Sequence, residues 1–151
     1  RPAQPDLIQR RLFTVHYHAF ASVDYVKRFG EPKTIEELDD HRLVSFGGNE
    51  PSYLLAAHWL ADAGREGRDR RSVHLTVNNI GALQRAMEAG AGIGILPDYA
   101  VDGDHQLTQV LRDTEMPSLE SYLVYAEEMR SVARVQAFRD FLVSKAQRWT
   151  Y

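Results

Sequence analysis

The sequence predicts an α/β fold, and three observations carry that prediction. Residues 73–97 read as strand, helix and strand in succession, the unit that builds a parallel sheet through a right-handed crossover. Short apolar runs bounded by Gly, Pro and Asn alternate along the chain with short capped helical stretches. A longer amphipathic segment closes the chain.

Each element follows from its residues. Residues 7–20 alternate for much of their length and read as one or two strands, with Leu12 and, after a one-residue slip, Val15, Tyr17 and Ala19 on one face and Thr14, His16 and His18 opposite. Ser22 caps a short helix, Val23–Phe29, that Gly30 ends and Pro32 keeps from continuing. Thr34 and Glu37 form a T-x-x-E capping box at the head of a helix over 35–40. Residues 41–46 make a strand broken by Gly47-Gly48-Asn49. The stretch 52–62 is ambiguous: Leu54, Leu55, His58 and Trp59 suit a helix, whereas Trp59 and Leu60 before Asp62-Ala63-Gly64 also read as strand and turn. Residues 65–71 (REGRDRR) form a charged loop and Val73–Val77 a strand. Asn78 or Asn79 caps the clearest helix, running to about Ala89 with Ile80, Leu83, Ala86 and Met87 on one face. Gly90, Gly92 and Gly94 lead into Ile93, Ile95 and Leu96, a buried run that stops at Pro97. Residues 107–111 and 122–125 are further strands. A helix over 131–148 aligns Val132, Val135, Phe138, Leu142 and the stem of Lys145.

Composition sets the bounds. The chain has 151 residues, 44% hydrophobic and 26% charged, enough for one domain that buries about 70% of its extended surface. A net charge of −3 gives no electrostatic footprint for nucleic acid, so any DNA contact would lie outside this chain. With no cysteine there is neither a disulfide framework nor a thiolate, which fits the cytoplasm. No apolar run approaches the roughly 20 residues of a membrane span, and no signal peptide opens the chain.

The run from Val77 to Tyr99, VNNIGALQRAMEAGAGIGILPDY, resembles a segment of the effector-binding domains of LysR-type transcriptional regulators. Three further stretches resemble that family in the right order. Residues 12–40 carry Ala21-Ser22, Tyr25, Gly30, Pro32 and Leu38, followed by His41; residues 107–113 match its "L..vL.d" strand; and residues 124–142 end in the closing VQAFRDFL helix. Ala126 departs from the family, standing where proline is common. The resemblance implies a periplasmic-binding-protein-like (type 2) regulatory subdomain, a small, mostly parallel sheet flanked by helices. It implies that residues 21–122 are the complete second subdomain. Residues 1–20 and 123–151 would then be hinge strands and remnants of the first. The N-terminal winged helix-turn-helix would be absent, which makes the chain a fragment of a longer regulator. It also implies a small-molecule effector, such as an organic acid, in the cleft between subdomains, a homo-oligomer, and DNA contact only through the missing domain.

The residues support that chemistry. A helix beginning at residues 78–81 presents unpaired amides and a positive dipole end suited to a carboxylate, so Asn78, Asn79 and the amide of Ile80 are the leading effector contacts. Asn79 reads equally as a plain N-cap. Ser22 opens another helix and is a further candidate, though capping alone accounts for it. Phe20 is a candidate apolar wall or a buried sheet residue, and Pro97 ends a strand beside the cleft or merely terminates structure.

Enzymatic readings find no support. No G-x-S-x-G, P-loop or H-E-x-x-H is present, and the glycines at 90–94 follow a helix instead of preceding one. His16 and His18 share a strand face but lack a third metal ligand, and Asp98, Asp102, Asp104 and His105 match no calcium loop, so no metal and no cofactor is expected. Arg65, Arg68, Arg70 and Arg71 are interrupted by Glu66 and Asp69 and read as solvated. The competing function is a solute-binding protein of a transport system, which shares the two-lobed architecture. Strand edges stripped of partners predict self-association.

Overall fold

The computed structural model describes residues 6–47, 58–103 and 105–148. The expected break at Gly48-Asn49, the Leu54–Leu55 part of the ambiguous stretch, and Asp104 lie outside the described residues. The chain forms two compact units, His16–Ser118 and Arg1–Val15 with Leu119–Tyr151. The larger unit therefore begins earlier than residue 21. Tyr17 pairs with Pro97 in the sheet, and Tyr17 and Ala19 pack into its core, which holds that part of the strand there.

In the larger unit, strand β1 (Leu7–Ser22) supplies its residues from His16 onward. It pairs antiparallel with β4 (Gly94–Pro97) on one side and β5 (Leu107–Val110) on the other. Strands β2 (Leu43–Phe46) and β3 (Val73–Val77) pair in parallel. Ile93 bridges β2 to the head of β4, donating to the Arg42 carbonyl and accepting from the Val44 amide, each at 2.8 Å. The strand order is thus β3–β2–β4–β1–β5. The α/β class holds, and the sheet is mixed: parallel across β3, β2 and β4, antiparallel across β4, β1 and β5. Helix α3 (Ile80–Glu88) enforces the parallel half, since a crossover helix returns the chain in the same direction. No crossover constrains β1, which enters from the other unit.

Alternation along β1 sends its side chains into two cores. Ala19 and Ala21 join Tyr25, Leu38, Leu43, Leu60, Ile93, Ile95, Val110 and Leu111 on one face. That face is covered by helix α1 (Val23–Phe29), a 3-10 helix Glu36–Asp40, and helix α2 (Trp59–Asp62). Phe20 joins Val44, Leu83, Met87, Leu96 and Leu107 on the other, under α3 and helix α4 (Asp98–Val101). Helix α3 docks closely: a Cβ on Gly94 would stand 2.6 Å from the Met87 sulfur.

The capping box works differently from its pattern. Thr34 Oγ1 accepts from the Glu37 amide at 3.4 Å, but the Glu37 carboxylate reaches back to the Lys33 amide at 2.8 Å, and the turn is 3-10 over Glu36–Asp40. The Arg-rich loop also differs from its solvated reading. Arg71 is buried, its side chain 4% exposed, and its guanidinium donates to Asp39 and to the carbonyls of Leu60, Ala63 and Ile35. Arg70 does lie in solvent, paired with Asp62.

In the smaller unit, β6 (Ser118–Ala126) pairs with β1, and the Glu127 amide donates to the Asp6 carbonyl at 3.0 Å. Helix α5 (Ala133–Ala146) forms where expected, but its apolar residues are spread around it and make no single buried stripe: Ala146 is buried, whereas Phe138 is 58% and Phe141 56% exposed.

Candidate functional site

Strand direction gathers the candidate site. Strands β2, β3 and β4 all point the same way, so Phe46, Val77 and Pro97 end at one edge of the sheet. The antiparallel β1 begins its run in this unit at the same edge, with Tyr17 opposite Pro97. In open α/β sheets, ligands bind outside the carboxyl ends of the strands.

Helix α3 starts there. Asn79 is its N-cap, extended at φ −142° and ψ 132°, and its side chain accepts from the Ala82 amide at 3.1 Å while its carbonyl takes the Leu83 amide. Two donors of the first turn, the amides of Ile80 and Gly81, have no hydrogen-bond partner among the described residues. Asn78 is exposed, and Ile80 is 37% exposed. The arrangement offers two amides, a positive helix end, a carboxamide and an apolar side chain, which suits a carboxylate with an apolar body. Gly47 seals the neighbouring strand end, donating to the Val77 carbonyl at 2.7 Å; a Cβ there would collide with Thr76.

The six residues singled out from sequence do not converge on one point. Asn78, Asn79 and Ile80 stand together at the carboxyl edge. Pro97 reaches that edge but is fully buried, closing β4 and preceding α4. Phe20, 8% exposed, belongs to the core beneath α3. Ser22 is buried at the opposite edge, where its hydroxyl accepts from the Tyr25 amide at 3.1 Å. A Cβ on Gly90, beyond the far end of α3, would touch that hydroxyl, so about 13 Å of helix separates Ser22 from Asn79. Ser22 and Gly90 line a separate cavity of about 180 Å³ with Asp24, Tyr25, Arg28 and Glu88.

Sequence reasoning missed one polar pair at the carboxyl edge. His18 Nδ1 lies 2.6 Å from Asp98 Oδ1, both partly buried, joining β1 to the first residue of α4. Eighty residues separate them, and no local pattern links them. Tyr17 and Tyr99 adjoin; burial raises the Tyr17 phenol above its ordinary 10.0, and Tyr99 adds to the shift. Among the described residues no group of three or more His, Cys, Asp or Glu is placed to hold a metal ion, and no helix is long and apolar enough to cross a membrane.

Comparison with known proteins places this geometry. Residues 1–147 match the family model of the LysR substrate binding domain. The chain is 30% identical over 149 residues to an HTH-type transcriptional regulator of Xanthomonas campestris pv. campestris (strain 8004), covering 95% of this chain and 43% of that protein. It is 28% identical over 140 residues to the HTH-type transcriptional regulator CrgA of Neisseria meningitidis serogroup C (strain 8013), covering 90% of this chain and 46% of CrgA. The chain thus spans less than half the length of these relatives. Among solved structures it superposes on the CrgA regulatory domain from Neisseria meningitidis with a TM-score of 0.78 at 28% identity, covering 97% of this chain and 72% of that one. It superposes on the Synechocystis PCC6803 CcmR regulatory domain, solved in complex with 2-PG, with a TM-score of 0.73 at 19% identity, covering 98% and 71%; that likeness shows the fold alone. The fold is the periplasmic-binding-protein-like type 2 arrangement of LysR regulatory domains. The matched relatives are transcriptional regulators and not transport proteins. The chain belongs to the LysR substrate binding domain family.

Proposed function

We propose that the chain is the effector-sensing part of a LysR-type regulator, and that a small organic acid seats its carboxylate on the start of α3. The observation that carries this reading is the pair of unpartnered amides, Ile80 and Gly81, at a helix N-terminus on the carboxyl edge of the sheet. Binding shifts the population of conformations only through differential affinity for them. The whole regulator then contacts DNA through a helix-turn-helix outside this chain, acts in the cytoplasm as a homo-oligomer, and catalyses no reaction.

Amide-resolved NMR titration with a panel of small carboxylates tests this. The expected result is a saturable shift of the Ile80 and Gly81 amides, weakened several-fold by Asn79→Ala, which removes both cap and carboxamide. Saturable shifts confined to residues remote from α3 would overturn the placement.

A further inference from the structure

The cavity of about 180 Å³ between the start of α1 and the end of α3 has no part in the effector reading, which places its ligand at the opposite edge of the sheet. It has room for about six waters, the size of one amino acid, and is smaller than the roughly 300 Å³ at which drug-sized pockets begin. The most buried polar side chain lining it is Ser22, 3% exposed. The Ser22 hydroxyl accepts from the Tyr25 amide at 3.1 Å, but its own O–H has no acceptor among the described residues. A buried donor without an acceptor is costly, so this one calls for an oxygen supplied from the cavity. Gly90 leaves that oxygen a way in, since a Cβ there would stand 3.6 Å from the hydroxyl.

The lining also carries two opposite charges that do not neutralise each other. Arg28, on α1, lies with its guanidinium 5.3 Å from the Phe29 ring centroid, a contact that positions it without using its N–H donors. Glu88, half-buried, stands in the last turn of α3, where the negative end of the helix and the carboxylate both favour a cation. Among the described residues neither Arg28 nor Glu88 has an ion-pair partner. Asp24, the other acid of the lining, is 87% exposed and paired with Lys27, which leaves Glu88 as the open carboxylate. We propose that this cavity is a second ligand site, and that it takes a zwitterionic α-amino acid with an apolar side chain. The ligand carboxylate accepts from Ser22 and Arg28, its ammonium donates to Glu88, and its side chain lies against Phe29 and Ala89. Neither a plain acid nor a plain amine satisfies both charges.

The test titrates the 151-residue chain with three probes: L-leucine, 4-methylpentanoate, which lacks the amine, and 3-methylbutylamine, which lacks the carboxylate. The amides of Ser22, Tyr25, Glu88 and Gly90 are followed by NMR beside those of Ile80 and Gly81. The expected result is a saturable shift of the first group by L-leucine, with each analogue binding about fivefold or more weakly. The variants give a crossed pattern that a merely structural role would not. Arg28→Gln weakens L-leucine and 4-methylpentanoate and leaves the amine unchanged, whereas Glu88→Gln weakens L-leucine and the amine and leaves 4-methylpentanoate unchanged. Equal binding of all three probes, or no saturable shift at Ser22, Glu88 or Gly90 up to roughly 10 mM L-leucine, would overturn the inference. Saturable shifts confined to Ile80 and Gly81 would overturn it too, while the effector reading of the carboxyl edge stands. The preference for the zwitterion is read on the unaltered chain, so it does not depend on a variant folding.

Discussion

Replacing Arg71 by Met removes a guanidinium that joins three segments of the larger unit. Its Nη1 donates to the carbonyls of Leu60 and Ala63 at 3.1 and 2.6 Å, its Nη2 to Ile35 at 2.8 Å, and its Nε to Asp39 at 2.6 Å. Methionine fills much of the volume but satisfies none of the acceptors. Asp39 is 42% exposed and keeps its bond to Arg65, so its loss is small. The bonds to Leu60 and Ala63 are buried, and each carbonyl left without a donor costs roughly 1–3 kcal/mol. Allowing for water entering near Ile35, the total is about 3–4 kcal/mol, in the range for breaking a buried charged group from its partners. Arg71→Lys keeps the charge but loses the planar fork, and costs about 1–2 kcal/mol. Arg70→Ala, which deletes an exposed pair, costs at most about 0.5 kcal/mol. Urea unfolding followed by Trp59 fluorescence, in a Trp149→Phe background, reads the local unit. With a slope near 2 kcal/mol per molar, Arg71→Met lowers the midpoint by about 1.5–2 M at unchanged slope. A midpoint shift no larger than that of Arg70→Ala would refute the reasoning.

Four other outcomes follow from the structure. Gly92→Ala, whose Cβ would stand 2.3 Å from the Arg42 carbonyl, breaks the bridge between Leu43 and Ile93 and destabilises by about 3 kcal/mol or more; hydrogen exchange at the Val44 and Ile93 amides rises first. Phe20→Ala empties the core beneath α3 and costs about 3–5 kcal/mol by the same urea assay. Burial holds the His41 imidazole below its ordinary 6.5, with Asp40 and Glu37 partly offsetting it. The unfolded chain then binds that proton more readily, so this contribution to stability is whole above pH 6.5 and declines as pH falls below it. Urea midpoints between roughly pH 5 and 7.5 check that slope, which His41→Gln flattens. The exposed Phe138 and Phe141 predict concentration-dependent association by sedimentation, reduced in the Phe138→Ser, Phe141→Ser double variant.

Local chemistry was the legible part. Ser22 and Asn79 cap α1 and α3, and Gly30 ends α1, because capping depends on residues within one turn. Strand direction was not legible: the alternation of β1 is the same whether its neighbours run parallel or antiparallel, so the mixed sheet emerges only from the pairing with β4 and β5. Among four arginines in one charged loop, nothing local marks Arg71 as the buried one; its carbonyl partners lie 8 to 36 residues away. Helix α4 escaped notice because four residues after Pro97 carry no periodicity. The site divided along the same line. The start of α3 was readable as a helix terminus, whereas Ser22, at the opposite edge, and His18 with Asp98 are positioned by topology alone.

The fit of Met87 against Gly94 ties two positions together across evolution. A side chain at 94 needs space that only the residue at 87 can give up, since the other near atom is the Val44 carbonyl at 3.1 Å. Homologues with Ala or Ser at the first position should therefore carry a shorter residue at the second, and the two should change as a pair. In this chain Gly94→Ala alone is unfavourable, and Met87→Leu, which shortens the neighbour without emptying the core, should recover part of the loss.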